Sequence, residues 1–257
     1  MKKISFILSI VLFATACTDD NGNPGARKAI VLPDSVLNVR WKAIKSLEDS
    51  IHEGDLVLRC GSDITSESLR DFSQKEKLYS HSGLAFMHNG EMLIYSNMAG
   101  DINPDEVMRR DYVDSFLTPA NNIAAGVYRY DFSAEELNRL KTIVEAHYEN
   151  KLQFDMNFDL ATDNKMYCAE MIAKSIEQAT SGRMLIPKSD VTDDLRQKYL
   201  KIALDKKIVP SAKSVEQRKY WSIDNLYLNP HCHEVIKLVF GDPQKPIKFP
   251  TPENYEH

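Results

Sequence analysis

Two residues have types and positions suited to nucleophilic chemistry, Cys168 and His81. Cys168 shares a helical face with Met171 and Ile172, so we predict that the thiol lies in the first turn of a helix and points inward. Unpaired N–H groups and the helix dipole favour a thiolate at that position. His81 begins a predicted strand, and Gly83 leaves room beside it. A thiol facing an imidazole on an adjacent strand is the arrangement used for acyl transfer through a covalent intermediate.

Each residue also has a commoner structural explanation. Most free cysteines are small buried core residues, and most strand histidines are hydrogen-bonded structural groups. In an oxidising compartment Cys60 and Cys232 can pair and leave Cys168 free, but the sequence does not fix the connectivity. In His231-Cys232-His233, adjacent side chains of an extended chain point to opposite faces, and no second pair completes a tetrahedral set. We therefore predict no metal site.

The N-terminus predicts export and lipidation. Met1-Lys2-Lys3 is positively charged, and the apolar run from Ile4 to Ala14 is shorter than the roughly 20 residues that a spanning helix needs. Small residues immediately before Cys17 resemble the lipobox of bacterial lipoproteins. We predict a signal peptide over 1–16 and acyl chains on Cys17 that hold the protein on a membrane.

The rest of the chain is organised as a tether, one domain and a tail. Residues 17–33 are expected to be a flexible tether, 34–240 the domain, and 241–257 a Pro-rich extended tail. The paired acids Asp19-Asp20 resemble export tags, which suggests the outer membrane of the cell envelope. A net charge of −5 without a basic cluster argues against nucleic acid as a partner.

Hydrophobic periodicity predicts an α+β fold, with strands clustered in a meander and helices before and after it. Asn89-Gly90 between two apolar runs predicts a hairpin, and Ser133 to Glu136 is a capping box. The predicted helices span 35–51, 65–77, 133–149 and 166–180, the strands span 56–58, 80–86, 92–96, 124–130 and 233–240, and 104–116 is a helix or an ordered loop.

Over about residues 53 to 195 the sequence resembles the YiiX/YebB-like hydrolases, which are circularly permuted relatives of NlpC-type cell-wall peptidases in the papain-like superfamily. His precedes Cys, the reverse of ordinary papain-like chains. The motifs that carry the resemblance are Gly54-Asp55, Tyr79-Ser80-His81-Ser82-Gly83, Asn89-Gly90, Asn103-Pro104-Asp105, Arg109-Arg110-Asp111, Val127-Tyr128-Arg129-Tyr130, Phe154-Asp155 and Tyr167-Cys168-Ala169-Glu170.

The resemblance implies a small antiparallel, barrel-like sheet packed on the Cys-bearing helix, with Cys168 as nucleophile and His81 as general base. A third residue that orients the histidine usually comes from the strand after the hairpin and is His or Glu. The matching position here is Ser96, which can accept a hydrogen bond but carries no charge to stabilise imidazolium. Asn97 is the alternative if the register is shifted by one residue, which would move it to the other face of the strand.

Other polar residues of these motifs are candidates for supporting roles. The backbone N–H of Cys168 is expected to form half of an oxyanion hole. Tyr79 or Tyr167 is a candidate hydroxyl donor, although packing is the commoner role for a tyrosine. We expect Glu170 and Asp155 to be structural or to support the catalytic residues.

Two substrate classes follow from the resemblance, cell-wall peptides and acyl amides or esters of lipids, and no cofactor is expected. An alternative is a catalytically impaired pseudoenzyme of the same fold that binds cell-wall or lipid ligands. A further alternative is a redox or structural lipoprotein in which Cys168 forms a disulfide.

Overall fold

A computed structural model describes residues 32–98, 106–205 and 218–241. Cys17, most of the predicted tether, nearly all of the predicted tail and Asn103-Pro104-Asp105 lie outside these ranges. No helix in the described ranges is long and apolar enough to cross a bilayer. The helices are α1 (Asp34–Glu48), α2 (Ile64–Arg70), α3 (Val113–Phe116), α4 (Ala134–Glu149), α5 (Cys168–Ala179), α6 (Asp193–Asp205) and α7 (Ile223–Tyr227).

Six strands form one antiparallel sheet in the order β4-β3-β2-β1-β5-β8, and β6 pairs with β7 in a separate ribbon. The mixed architecture with an antiparallel sheet confirms the predicted α+β class. The strands are β1 (Leu56–Gly61), β2 (His81–His88), β3 (Glu91–Ser96), β4 (Arg109–Tyr112), β5 (Asn122–Tyr130), β6 (Ser189–Asp190), β7 (Lys219–Tyr220) and β8 (Cys232–Val239).

Apolar residues cover both faces of the sheet, because successive side chains of a strand point to opposite sides. Leu58 and Leu84 belong to a core shared with α4 and α5. Val57 and Ala85 belong to a second core shared with α1 and α3. The odd and even positions of β1 and β2 therefore face different helices, and any side chain on these strands can be assigned to a face.

Local sequence signals account for the well-predicted elements. Asn89 and Gly90 both have positive φ, 52° and 86°, as the hairpin between β2 and β3 requires. The Ser133 hydroxyl accepts from the Glu136 N–H, and the Glu136 carboxylate accepts from the Ser133 N–H. This capping box starts α4, which ends at Glu149 as predicted.

Elsewhere tertiary contacts override the local pattern. The helix predicted over 65–77 ends at Arg70, because the buried carboxylate of Asp224 accepts from the N–H groups of Gln74 and Lys75 at 2.9 and 2.6 Å. The segment 104–116, predicted as a helix or an ordered loop, contains the short helix α3 but also the edge strand β4, whose polar sequence lacks an alternating pattern. The local sequence pattern did not predict α6, α7, β6 or β7.

Cys60, Cys168 and Cys232 are free thiols. Cys60 of β1 pairs with Ala124 near the start of β5. Cys232 of β8 pairs with Tyr130 at the other end of β5. The two strands lie on opposite edges of β5, so their backbones are roughly 10 Å apart even before that offset along the strand. A disulfide needs closer Cα atoms, so the pairing of Cys60 with Cys232 is wrong for this structure, and Cys168 is a free thiol among the described residues.

A buried ion pair fixes the start of β1. Asp55 is 1% exposed, and its two carboxylate oxygens each accept from the Arg129 guanidinium at 2.7 Å. The Asp55 carboxylate also accepts from the His52 N–H. These bonds join β1, β5 and the turn after α1.

We expect Asp55→Ala to destabilise the protein by about 3 kcal/mol, because it leaves the Arg129 charge without its partner. Glu135→Ala is the control, since Glu135 is 90% exposed and lies 3.7 Å from Arg139. That change should cost under about 0.5 kcal/mol. Urea unfolding of both variants measures the difference, and equal costs would contradict the structural role of Asp55.

Candidate active site

The thiol of Cys168 is placed by the start of α5, whose first residue it is. The Glu170 carboxylate accepts from the Tyr167 N–H at 3.4 Å, which holds the residue that precedes the helix. Met171 and Ile172 are fully buried and pack the same helix against the sheet. Cys168 itself is half-buried, so its sulfur lies at the border between core and solvent.

The segment before α5 is held by hydrogen bonds from two predicted site residues. The Asn97 amide donates to the Met166 carbonyl at 2.5 Å and to the Gln153 carbonyl at 3.3 Å. The Asp155 carboxylate accepts from the N–H groups of Asn157 and Asp159 at 2.8 and 2.5 Å. Asn97 therefore joins the end of β3 to the approach to Cys168, and Asp155 shapes the loop that leads there.

Glu170 is a buried carboxylate in the first turn of α5. Its side chain is 0% exposed and lies 2.8 Å from the Lys174 ammonium, which also contacts Asp163 at 2.7 Å. Burial raises the pKa of Glu170 to about 7, and the Lys174 charge opposes that shift. Through Lys174, which contacts both Glu170 and Asp163, α5 is bound to the loop that precedes it.

The two candidate tyrosine hydroxyls are committed to other contacts. The Tyr167 hydroxyl accepts from the Trp221 N–H at 2.8 Å, and Tyr167 is buried. The Tyr79 hydroxyl lies 3.3 Å from the Tyr128 hydroxyl in the core. Both residues therefore have packing and anchoring roles in this structure.

The sulfur of Cys168 lies against Ser82 of β2. Burial raises the pKa of the Cys168 thiol, whereas contacts with the Ser82 hydroxyl and with the N–H groups of Ser82 and Ala169 lower it. The helix N-terminus thus favours the thiolate as expected, but desolvation has the larger effect. The thiol is therefore favoured over the thiolate.

His81 has a hydrogen-bond partner that the sequence reasoning missed. Its Nδ1 lies 2.7 Å from the Ser80 hydroxyl, which in turn accepts from the Gly61 N–H at 3.1 Å. Ser80 directly precedes His81 in the chain, whereas the third residue was predicted on the next strand. The adjacency of Ser80 and His81 in the sequence was the available signal.

The charge state of His81 is set mainly by desolvation. Burial lowers the pKa of the imidazole to about 3, the nearby Arg59 charge lowers it further, and the Asp63 carboxylate opposes both. The resting ring is therefore neutral and can accept a proton.

Strand register assigns Ser82 and His81 to different faces. Ser82 pairs with Leu58 on the α5 side, and His81 pairs with Arg59, whose guanidinium lies over the Phe116 ring of α3. Among the described strands, β2 pairs with β3 only from Leu84 onward. His81 and Ser82 therefore lie beyond this ladder, whereas Gly83 is still packed against Tyr95 and Ser96 of β3.

The two candidates for a third residue also differ in face. A Cβ built on Gly83 would lie 3.3 Å from the Ser96 Cβ, so Ser96 shares the face of Gly83 and His81. Its buried hydroxyl has no hydrogen-bond partner among the described residues. Asn97 is the next residue along the chain and bonds toward Met166 near α5 instead.

We expect the His81 imidazole to stay neutral from pH 8 down to about pH 4, because its folded pKa is about 3. The unfolded chain protonates near pH 6.5, so the stability contribution of His81 is present above that pH and is lost as the pH falls toward 3. NMR titration of the ring protons measures this, with assignment by His81→Gln and the urea-unfolded protein as control. A folded-state midpoint near pH 6 would contradict the burial of the ring.

Comparison with known proteins places the chain in a family. A family model described as "Permuted papain-like amidase enzyme, YaeF/YiiX, C92 family" matches residues 50–221. No curated protein matches the sequence. Among solved structures, the metalloprotein YiiX from Escherichia coli O157:H7 is similar with a TM-score of 0.57 and 15% identity, over 74% of this chain and 99% of that chain.

The similarity to YiiX concerns the fold, and it agrees with the predicted permuted papain-like architecture. YiiX is titled a metalloprotein; in the described part of the present chain, no three His, Cys, Asp or Glu side chains are grouped to hold a metal ion. Since the family model covers more than half of the sequence, the chain belongs to the permuted papain-like amidases of the YaeF/YiiX type, the C92 family.

Proposed function

We propose that the protein is a cysteine hydrolase in which Cys168 is the nucleophile and His81 is the general base. The observation that carries this proposal is the contact between the Cys168 sulfur and Ser82, the residue next to His81. Both side chains are half-buried, as reactive groups that admit a substrate must be. Membership of a papain-like amidase family supports the same reaction class.

The proposal requires the His81 imidazole to reach the Cys168 thiol past the first residues of β2. Cys168 comes from the α5 face, and His81 starts on the opposite face at the first residue of β2. Ladder pairing between β2 and β3 begins at Leu84, so His81 itself lies outside that ladder. General-base catalysis requires the ring nitrogen to come within about 3 Å of the thiol, or to act through one water molecule.

The chemistry begins from a neutral pair, since burial disfavours both the thiolate and the imidazolium. His81 takes the thiol proton as the Cys168 sulfur attacks an amide or ester carbonyl, and the Cys168 N–H donates to the developing oxyanion. The imidazolium then protonates the leaving group, and an acyl-enzyme remains. Water activated by His81 hydrolyses the acyl-enzyme and restores the thiol.

Ser80 is the best-supported orienting residue for His81, because its hydroxyl lies 2.7 Å from Nδ1. Ser96 shares the face of His81, and its unpartnered hydroxyl is the second choice. Asn97 is bound to the segment before α5 and serves Cys168 instead. With a hydroxyl in place of a carboxylate, the imidazolium lacks a charged hydrogen-bond partner, so the expected rate is low.

The proposed substrates are cell-wall peptides or acyl amides and esters of lipids. Acyl chains on Cys17 would hold the enzyme on a membrane of the cell envelope, next to both substrate classes. No nucleic acid and no cofactor enter the proposal.

A second candidate function is ligand binding without turnover. The neutral thiol and imidazole, together with the uncharged Ser80 and Ser96, favour it. In that case the same site would bind cell-wall or lipid ligands noncovalently.

The purified protein should hydrolyse at least one of the two substrate classes, tested with a panel of muropeptides and N-acyl or O-acyl lipids. We expect Cys168→Ala to lower kcat by roughly 10⁴-fold or more and His81→Ala by roughly 10²- to 10⁴-fold. Mass spectrometry should find an acyl group on Cys168 at short times.

Cys232→Ala is the matched control, because Cys232 is a free, half-buried thiol on β8 outside the site. It should keep full activity. Activity that survives Cys168→Ala would exclude this nucleophile. Ligand binding without hydrolysis of either class, with Cys168 reduced and accessible, would replace the hydrolase by the binding function.

Cys17→Ala should release the full-length protein from the membrane fraction, because acyl chains on Cys17 are the proposed anchor. Fractionation after a high-salt wash measures this, and Cys232→Ala should remain in the membrane pellet. A Cys17→Ala protein that still pellets with membranes would show that the lipobox assignment is wrong.

A further inference from the structure

Ser82 is a buried polar residue at the centre of the site. Its side chain is 0% exposed, and its hydroxyl has no hydrogen-bond partner of ordinary geometry among the described residues. A buried hydroxyl without a partner is destabilising and is usually avoided. Ser82 stands on the α5 face of β2, where its direct strand neighbour is Leu58.

The Ser82 hydroxyl lies on the face of β2 that packs against α5, and Cys168 is the first residue of that helix. The hydroxyl acts on the Cys168 sulfur and lowers the pKa of the thiol. A neutral thiol is a weak hydrogen-bond acceptor, so in the resting site the Ser82 hydroxyl gains little from donating to it. A thiolate is a charged acceptor, and hydrogen bonds to charged groups are roughly twice as strong as neutral ones. The hydroxyl is therefore unsatisfied in the resting state and satisfied once the sulfur is ionised.

We propose that Ser82 is a further catalytic residue, whose hydroxyl is kept free to donate a hydrogen bond to the Cys168 sulfur when it becomes a thiolate. This inference rests on the proposed role of Cys168 as nucleophile. The proton leaves the sulfur for the His81 ring, and the electron pair stays on sulfur under the Ser82 hydroxyl. The pair then forms the bond to the substrate carbonyl carbon, and the hydroxyl loses its charged acceptor.

Backbone donors complete the environment of the sulfur. The N–H groups of Ser82, Cys168 and Ala169 all act on it, two of them from the first turn of α5. The Ser82 hydroxyl acts on it together with these N–H groups. Because Ser82 is fully buried, we assign its hydroxyl to the sulfur instead of the substrate oxygen.

The test is the pH dependence of Cys168 alkylation by iodoacetamide in the full-length protein, followed on the Cys168 peptide by mass spectrometry. We expect Ser82→Ala to raise the thiol pKa and to lower the alkylation rate at neutral pH by about tenfold, the usual scale of one charge-assisted hydrogen bond. Ser175→Ala is the control. Ser175 is buried on α5, the helix that begins with Cys168, but its hydroxyl donates to the Met171 sulfur away from the site.

A matched pair guards against an effect of shape or folding. Ser82→Thr keeps the hydroxyl and Ser82→Val has nearly the same shape without it, so the threonine variant should alkylate about tenfold faster than the valine variant. The surrounding titratable and charged groups stay unchanged in these variants. They are His81, Arg59, Asp63, Glu170 and Lys174.

The outcomes separate this inference from the proposed function. A thiol pKa that is the same with and without the Ser82 hydroxyl overturns the inference. Slower hydrolysis with an unshifted thiol pKa also overturns it, because the hydroxyl would then act on the substrate. A shifted pKa in a protein that hydrolyses nothing keeps the donor role of Ser82 and rejects the hydrolase alone.

Discussion

The packing of α5 against the sheet is the interaction on which the rest of the site depends. Met171, Ile172 and Ile176 are 0% exposed, and each fully buried aliphatic side chain of this size contributes about 1.5 to 3 kcal/mol. That gain allows the helix to begin beside the first residues of β2 and to carry a buried carboxylate, Glu170, in its first turn. The position of Cys168 follows from the helix and not from any strong interaction of its own sulfur.

Desolvation then decides the protonation states that this packing creates. Burial favours the neutral thiol of Cys168, although helix N–H groups and Ser82 favour the thiolate. Burial also favours the neutral imidazole of His81. The Asp63 carboxylate near His81 raises the pKa of the ring, but desolvation and the Arg59 charge outweigh it. In the proposed reaction, charge separation would therefore occur only when the thiol proton is transferred.

The sequence predicted what depends on local pattern and could not predict what depends on distant contacts. The capping box at Ser133 and the Asn89-Gly90 hairpin were found because each signal lies within a few residues. The early end of α2 was missed because it depends on Asp224, about 150 residues away. In the candidate site, Cys168 and His81 were proposed from their motifs. Ser80 and Ser82 were not proposed, because the partners of a serine hydroxyl, such as the His81 ring for Ser80, are set by the fold.

The hydrogen bond from the Trp221 N–H to the Tyr167 hydroxyl joins the start of α5 to the last third of the chain. Asp224 fixes residues 74–76, and β8 completes the sheet beside β5. During synthesis from the N-terminus, Cys168, His81 and most of the sheet are therefore made before the residues that hold them in position. The contacts made by Trp221, Asp224 and β8 can form only after this last part of the chain has been synthesised.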